Sequence, residues 1–356
     1  MGSNREEINR IMSKARIIRA LYAAIFLCLS LGISFALVEG ASRAYKYVEG
    51  SNLHRDPCCG FTFIPNLKDE PTYGYSAEFV SSFSTNEYGF VDLHPWDGAV
   101  GRGRVGFFGG SYVAARQAPM KDRFSDLVEK ATGHEVVNFG VDSYSIINSI
   151  FVLESFAKKS GIEKAILFLS IGDLYNDQMY MTRNPGAVEA ALAAGAGAPL
   201  ALPPPYRSSQ ASEVMVKIFD NSNLLRLAYY TALYPYAKAN KRNEFLTAAL
   251  SGGDVLERQM EMIGLFVQRA RAMGVRPGVV TLPMRIRWIP KIGDKQRNEF
   301  FRFYEDRIGA MGVPFLALNW DDQTADPLLY PKDQHLNPAG HQAVARAVGS
   351  WIDGWQ

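Results

Sequence analysis

From Arg104 onward, short apolar runs that stop at or near glycines alternate with stretches of helical periodicity, and this alternation restricts the fold more than any other feature. The strand-like runs are Arg104–Gly109, Glu135–Phe139, Ala165–Ile171, Arg276–Leu282 and Pro314–Leu318. The helical stretches are Lys121–Ala131, Ser145–Lys159, Val255–Met273, Asp294–Gly309 and Asn337–Trp351. Strands with no polar face need cover on both sides, which predicts a parallel sheet between two helical layers. Ligand sites in such sheets lie beyond the carboxyl ends of the strands, at the topological switch point. Ser111 follows the first of these strands, where such a site would be.

Ahead of that domain, Ala20–Val38 carries no charge. At ~1.5 Å per residue it reaches roughly 28 Å as a helix, close to the hydrocarbon thickness of a bilayer. The Val38-Glu39-Gly40-Ala41 exit is a poor cleavage site, so an uncleaved anchor is expected rather than a signal peptide. Arg5, Arg10, Lys14, Arg16 and Arg19 precede the span, while Arg43, Lys46 and Arg55 follow more sparsely. That bias puts residues 1–19 in the cytoplasm and the large domain outside. A formal net charge of +2 argues against a nucleic-acid partner, which would leave a strong basic excess.

Residues 39–103 read as a connecting region packed on the main domain, with short strands at Phe61–Phe63 and Ala77–Val80 and a turn at Asn86–Phe90. The main domain runs from 104 to 356, with an insertion at about 178–253. Within the insertion, Pro185–Pro205 has a loop composition, and Asn223–Asn240 reads as a helix closing over the core, with a lid over the site or a face docking on the membrane or a partner as alternatives. No internal repeat is present. Adjacent Cys58 and Cys59 read as two loop thiols, with a vicinal disulfide or pairing to other chains as alternatives. No Cys/His spacing suits zinc, and neither a metal nor a cofactor is expected.

The chemistry concentrates in two short stretches. Gly109-Gly110-Ser111 ends the first strand in a turn that projects a hydroxyl from the sheet edge. Asp333-Gln334-His335 lies just before the last helix, and in extended backbone its Asp and His side chains emerge on one side. A serine hydroxyl is a weak nucleophile until a histidine takes its proton, and a carboxylate orients that histidine. His341, inside the following helix, is expected to be structural.

Together these blocks resemble the SGNH (GDSL-type) hydrolase superfamily, from about Ser84 to Gln356 apart from the insertion, and especially its membrane-anchored bacterial members. Gly109-Gly110-Ser111 is similar to the family's first block. Asp333-Gln334-His335 with Asn337-Pro338-Ala339-Gly340-His341 is similar to its last. Asn138–Tyr144 and Ser170–Asp177 resemble the second and third. The resemblance implies a flavodoxin-like, three-layer α/β/α sandwich with a five-stranded parallel sheet. It implies acyl transfer with Ser111 as nucleophile, His335 as base and then acid, and Asp333 orienting the ring. The family's oxyanion donors are the nucleophile's amide, a second-block glycine amide and a third-block asparagine side chain.

Here Ser143 stands at the glycine position and Asp173 at the asparagine position. An ionised carboxylate accepts but cannot donate, and would repel an oxyanion. Either Asp173 is protonated, Asn176 supplies the amide, or catalysis is poor. Arg285 and Arg287 read as surface charge or as a grip on an anionic substrate. Trp288 and Trp320 read as core packing or sugar stacking. The expected function is a serine esterase or O-acyl (acetyl) transferase in the bacterial inner membrane, its domain periplasmic or extracellular. Its partners would be the bilayer and an ester or glycan substrate. The rival expectation is a catalytically weakened subunit binding within a membrane-protein assembly.

Overall fold

A computed structural model describes residues 3–44, 52–73, 78–96, 103–183, 186–196, 254–283, 293–318, 322–331 and 333–355. The chain divides into a unit containing the first helix and a unit containing every other described element. Helix α1 (Ser3–Ala44) includes Arg16–Gly40, which is long and apolar enough to cross a membrane, with mean hydropathy 2.4. Leu21, Tyr22, Phe26, Leu31 and Leu37 all lie uncovered on it. The expected span, Ala20–Val38, falls inside this window.

The second unit opens with two antiparallel hairpins. Strand β1 (Leu53–Asp56) pairs with β2 (Gly60–Phe63), and β3 (Glu70–Tyr73) pairs with β4 (Val80–Phe83). Of the strand expected at Ala77–Val80, Ala77 lies outside the described residues, and of the other three only Val80 is in a strand. Pairing of Val80 with Tyr73 sets the register from there, while the Phe79 ring packs at a tilt on that of Tyr330. Cys58 and Cys59 are bonded to each other, not the two loop thiols expected. The turn at Asn86 forms as expected, its side-chain oxygen accepting the N–H groups of Tyr88 and Phe90.

Five parallel strands follow: β5 (Arg104–Phe108), β6 (Glu135–Asn138), β7 (Ile162–Leu169), β8 (Arg276–Thr281) and β9 (Phe315–Ala317). Their order is β6-β5-β7-β8-β9, the flavodoxin-like arrangement, with its switch point between β5 and β7. Alternate residues feed opposite layers, as the two-residue strand period requires. Phe108, Leu167 and Val279 join one core cluster, while Phe107, Ile166, Phe168 and Val280 join the other.

Helices α4 (Ile146–Ser160), α5 (Ile171–Arg183), α6 (Ala187–Ala194), α7 (Asp254–Ala272) and α8 (Asp294–Ala310) supply the first cluster. Helices α3 (Phe124–Thr132) and α10 (Pro338–Gly354) supply the second. Among the described residues there are also two α-helices of four residues, α2 (Ser111–Ala114) and α9 (Asp322–Ala325). This is the three-layer sandwich the sequence implies.

The expected strand Ala165–Ile171 is displaced. Gly161, at φ +67, ends α4 in the left-handed region, and β7 begins at the next residue. At the other end, the Asp173 side-chain oxygen accepts the N–H of Ser170 where the chain turns into α5. Residues of the hairpin region join the first cluster. Phe63, Phe83, Phe90 and Val91 are buried with Phe139 and Ile147. Asn148 donates to the Cys59 carbonyl at 2.9 Å and the Tyr144 hydroxyl donates to that of Phe61 at 2.7 Å. Residues Asn223–Asn240, Arg285, Arg287, Trp288 and Trp320 lie outside the described residues.

Candidate active site

Strand β5 ends at Phe108, and Gly109 and Gly110 carry the chain across its carboxyl end into α2. Gly109 sits at φ +154, and a β-carbon there would stand 2.9 Å from the Phe168 carbonyl of β7. Only glycine fits so close to a neighbouring strand. The turn places Ser111 with its Oγ 2.7 Å from Nε2 of His335. The other ring nitrogen, Nδ1, bonds the Asp333 carboxylate. With the ring proton on Nδ1, Nε2 is left to accept the proton of the Ser111 hydroxyl.

The loop bearing Asp333 and His335 is fixed at several points. Leu329 bridges to Leu336, and the Tyr330 N–H donates to the His335 carbonyl at 2.8 Å. Gln334 is left-handed at φ +73, so this segment is not the extended stretch expected. The Asp333–His335 pair closes nonetheless, because the turn folds the carboxylate back onto the ring and onto the His335 N–H. Tyr112, next to the nucleophile, donates its hydroxyl to the Gln334 carbonyl at 2.6 Å, and its ring packs 5.0 Å from that of His335. Glu78, from the hairpin region, accepts the Asp333 N–H at 2.8 Å.

Burial pushes the Asp333 carboxyl up. The charge and hydrogen bonds of His335, with the charge of Arg116, outweigh that and hold it below its ordinary value. Arg116 pairs with Asp142 and lies over the rings of Phe63 and Phe83. His341 is buried in α10, its Nδ1 accepting the Phe124 N–H at 3.2 Å. Burial, then the charges of Arg123 and His335, lower its pKa to about 3, so it stays neutral and structural.

Ser143 is exposed at φ +65, in the turn between β6 and α4. Asn176 is committed, its side-chain amide donating to the Tyr144 carbonyl at 3.2 Å. Asp173 is buried at the start of α5. Its Oδ1 lies 3.3 Å from where a β-carbon on Gly110 would stand. Burial raises its pKa to about 7, against the opposing bonds from Ser170. One helical turn on, Asp177 accepts the Ile146 N–H and the Gln259 amide, each at 2.8 Å. Burial raises it to about 8.

Several residues that build the site carry no local sequence signal. Asn138 is the exception, because it opens the second block. Its amide donates to the Val113 carbonyl at 2.7 Å and to Ser125, and its oxygen accepts the Gly140 N–H at 2.9 Å. Tyr112, Arg116 and Glu78 act through partners distant in sequence. Among the described residues, Asp56, Cys58 and Cys59 bring three potential metal-binding atoms within 4.8 Å of one another. The two sulfurs are bonded, however, and Asp56 accepts the N–H groups of both cysteines. That spends the donor set without a metal.

No family model matches the sequence, and no curated protein matches it. Solved structures do resemble the fold. An acetylxylan esterase from Geobacillus stearothermophilus, solved as a catalytic mutant, is 11% identical with a TM-score of 0.41. The match covers 71% of this chain and 95% of that one. A lipase/acylhydrolase from Enterococcus faecalis is 10% identical with a TM-score of 0.38, over 71% and 96% of the two chains. A proposed lipolytic protein of the G-D-S-L family from Desulfitobacterium hafniense is 10% identical with a TM-score of 0.37, over 70% and 99%.

Proposed function

We propose that this chain is a membrane-anchored serine esterase or O-acyl (acetyl) transferase of the SGNH type, working outside the cytoplasmic membrane. The observation that carries the reading is the hydrogen-bonded series Ser111–His335–Asp333, with 2.7 Å between the serine Oγ and the histidine Nε2. Ser111 Oγ forms a bond to the ester carbonyl carbon as its proton passes to His335 Nε2. The carbonyl electron pair moves onto oxygen, then returns to expel the alcohol, which takes the proton from His335. Water, or a hydroxyl of an envelope glycan, then receives the acyl group by the reverse proton path. Asp333, held ionised, keeps the imidazole in the useful tautomer and offsets its transient charge.

The Arg16–Gly40 segment supports the anchor, and the excess of Arg and Lys before it supports an outward domain. A fluorophosphonate probe, which captures an activated serine, tests the reading on full-length protein in detergent. Wild type should label and Ser111→Ala should not. Equal labelling of both, or none of wild type, overturns it. A second reading, a weakened subunit that binds within a membrane assembly, is favoured by one observation: an acid, Asp173, is buried against the nucleophile's turn. Absent labelling of wild type is the result that reading expects.

A further inference from the structure

We propose, resting on the serine-hydrolase reading, that Asp173 is a further catalytic residue: as a neutral acid it donates a hydrogen bond to the oxyanion formed when Ser111 attacks an ester. Asp173 follows β7 and Ser111 follows β5, so the two stand at the carboxyl ends of the strands that flank the switch point. Asp173 Oδ1 is 3.3 Å from the β-carbon position of Gly110, the residue immediately before the nucleophile. Its Oδ2 accepts the Ser170 N–H and the Ser170 hydroxyl also bonds the carboxyl, while Oδ1 is the oxygen that faces the nucleophile's turn.

The surroundings favour the proton. Asp173 is 5% exposed and Asp177, one turn along α5, is 1% exposed. From α8, the Tyr304 phenol faces both carboxyls, and it bonds Gln259 of α7. From α4 comes only the Ile146 N–H, on Asp177. The Tyr144 hydroxyl is turned away to Phe61, and His335, across the nucleophile's turn, is committed to Ser111 and Asp333. Among the described residues, no Lys, Arg or His pairs with either acid. Two carboxyls buried together without a cation cannot both ionise cheaply, and burial lifts both above their ordinary range.

The protonation state decides the chemistry. A neutral carboxyl has an O–H to give, and an O–H···O⁻ bond is among the stronger hydrogen bonds. An ionised one would repel the same oxyanion. Asp173 keeps its proton throughout; only the Ser111 proton moves, to His335.

The test is the pH dependence of kcat/KM for p-nitrophenyl acetate, with full-length protein in detergent, from about pH 5.5 to about pH 9. Wild type should lose activity above about pH 7, by about tenfold per unit. Asp173→Asn, whose amide donates at every pH, should lack that fall and overtake wild type at the alkaline end. Asp177→Asn should keep the fall, and Asp173→Ala should lose about 10²–10³-fold near pH 6. A wild-type rate flat or rising to pH 9 overturns the proposal without recourse to any variant, as does an unchanged alkaline fall in Asp173→Asn. If Ser111→Ala hydrolyses the ester as fast as wild type, the serine-hydrolase reading itself fails, which is a separate result.

Discussion

The hydroxyl of Tyr112 donates to the Gln334 carbonyl at 2.6 Å, so the residue after the nucleophile holds the loop that carries the base. Gln334 lies between Asp333 and His335, and its left-handed backbone is what turns its carbonyl toward Tyr112. Tyr112→Phe keeps the ring against His335 and removes only the tie. The expected outcome is a fall in kcat of about tenfold with KM little changed, since the tie orients the base and touches no substrate. Thermal stability should fall by about 1 kcal/mol, the usual worth of one such bond. Steady-state kinetics and a melting curve check both parts.

Gly140 approaches the helix that begins with the nucleophile more closely than any side chain allows. A β-carbon there would stand 2.2 Å from the Ala114 nitrogen and 2.6 Å from the Val113 carbonyl carbon, both backbone. Gly140→Ala must push α2 away and break the bond from Asn138 to Val113 with it. A loss of about 3 kcal/mol in stability is expected, at the upper end of overpacking costs. Gly172→Ala is the comparison, because its β-carbon would meet only the Ser170 hydroxyl, at 3.4 Å. Denaturation midpoints of the two variants should differ widely. Equal midpoints would contradict the close approach.

These two cases mark where the sequence is readable. Strands β5 and β7 are buried on both faces, so their apolar runs announce a central parallel sheet. Ser145 caps α4 through Asn148, and Asn337 caps α10 through Gly340, so both helix starts are written in capping residues. Ser111, Asp333 and His335 each sit in a short local pattern, so the sequence alone marks them as candidates. Tyr112, Arg116 and Glu78 are not marked, because each acts on a partner brought near only by the complete fold. Strand β7 stops short of its apolar run for a related reason. Ile171 is apolar enough for a strand, but it opens α5, where the Asp173 side-chain oxygen accepts the Ser170 N–H.

His94 bridges two carboxylates, with Nδ1 2.7 Å from Asp92 and Nε2 3.2 Å from Glu129. The bond to Asp92, then that to Glu129, raises its pKa to about 10 despite partial burial. The unfolded chain releases that proton near pH 6.5. The bridge therefore stabilises fully below about pH 6.5, and its contribution is lost as pH rises toward 10. His94→Gln should lower stability by about 1–2 kcal/mol at pH 6, allowing for solvent screening of a partly exposed group. The deficit should shrink as melting curves are recorded at higher pH. A deficit that grows with pH would reverse the assignment.

His341 titrates in the opposite sense. Burial holds its folded pKa at about 3, while the unfolded chain takes up a proton near 6.5. Stability is therefore complete above about pH 6.5 and falls as pH drops toward 3, by about 1.4 kcal/mol per unit in between. Asp173 and Asp177, raised by burial, bind protons when folded and push the other way over part of that range. Only a comparison of variants isolates the histidine. His341→Gln retains an acceptor for the Phe124 N–H but loses the ring stacked on Phe124, 6.0 Å between centroids. At pH 7 the variant should be less stable by about 1–2 kcal/mol, the cost of that packing. On acidification the two melting temperatures should converge and cross near pH 5, because glutamine gains no charge. Parallel curves from pH 7 to pH 4 would mean that His341 does not resist protonation in the fold.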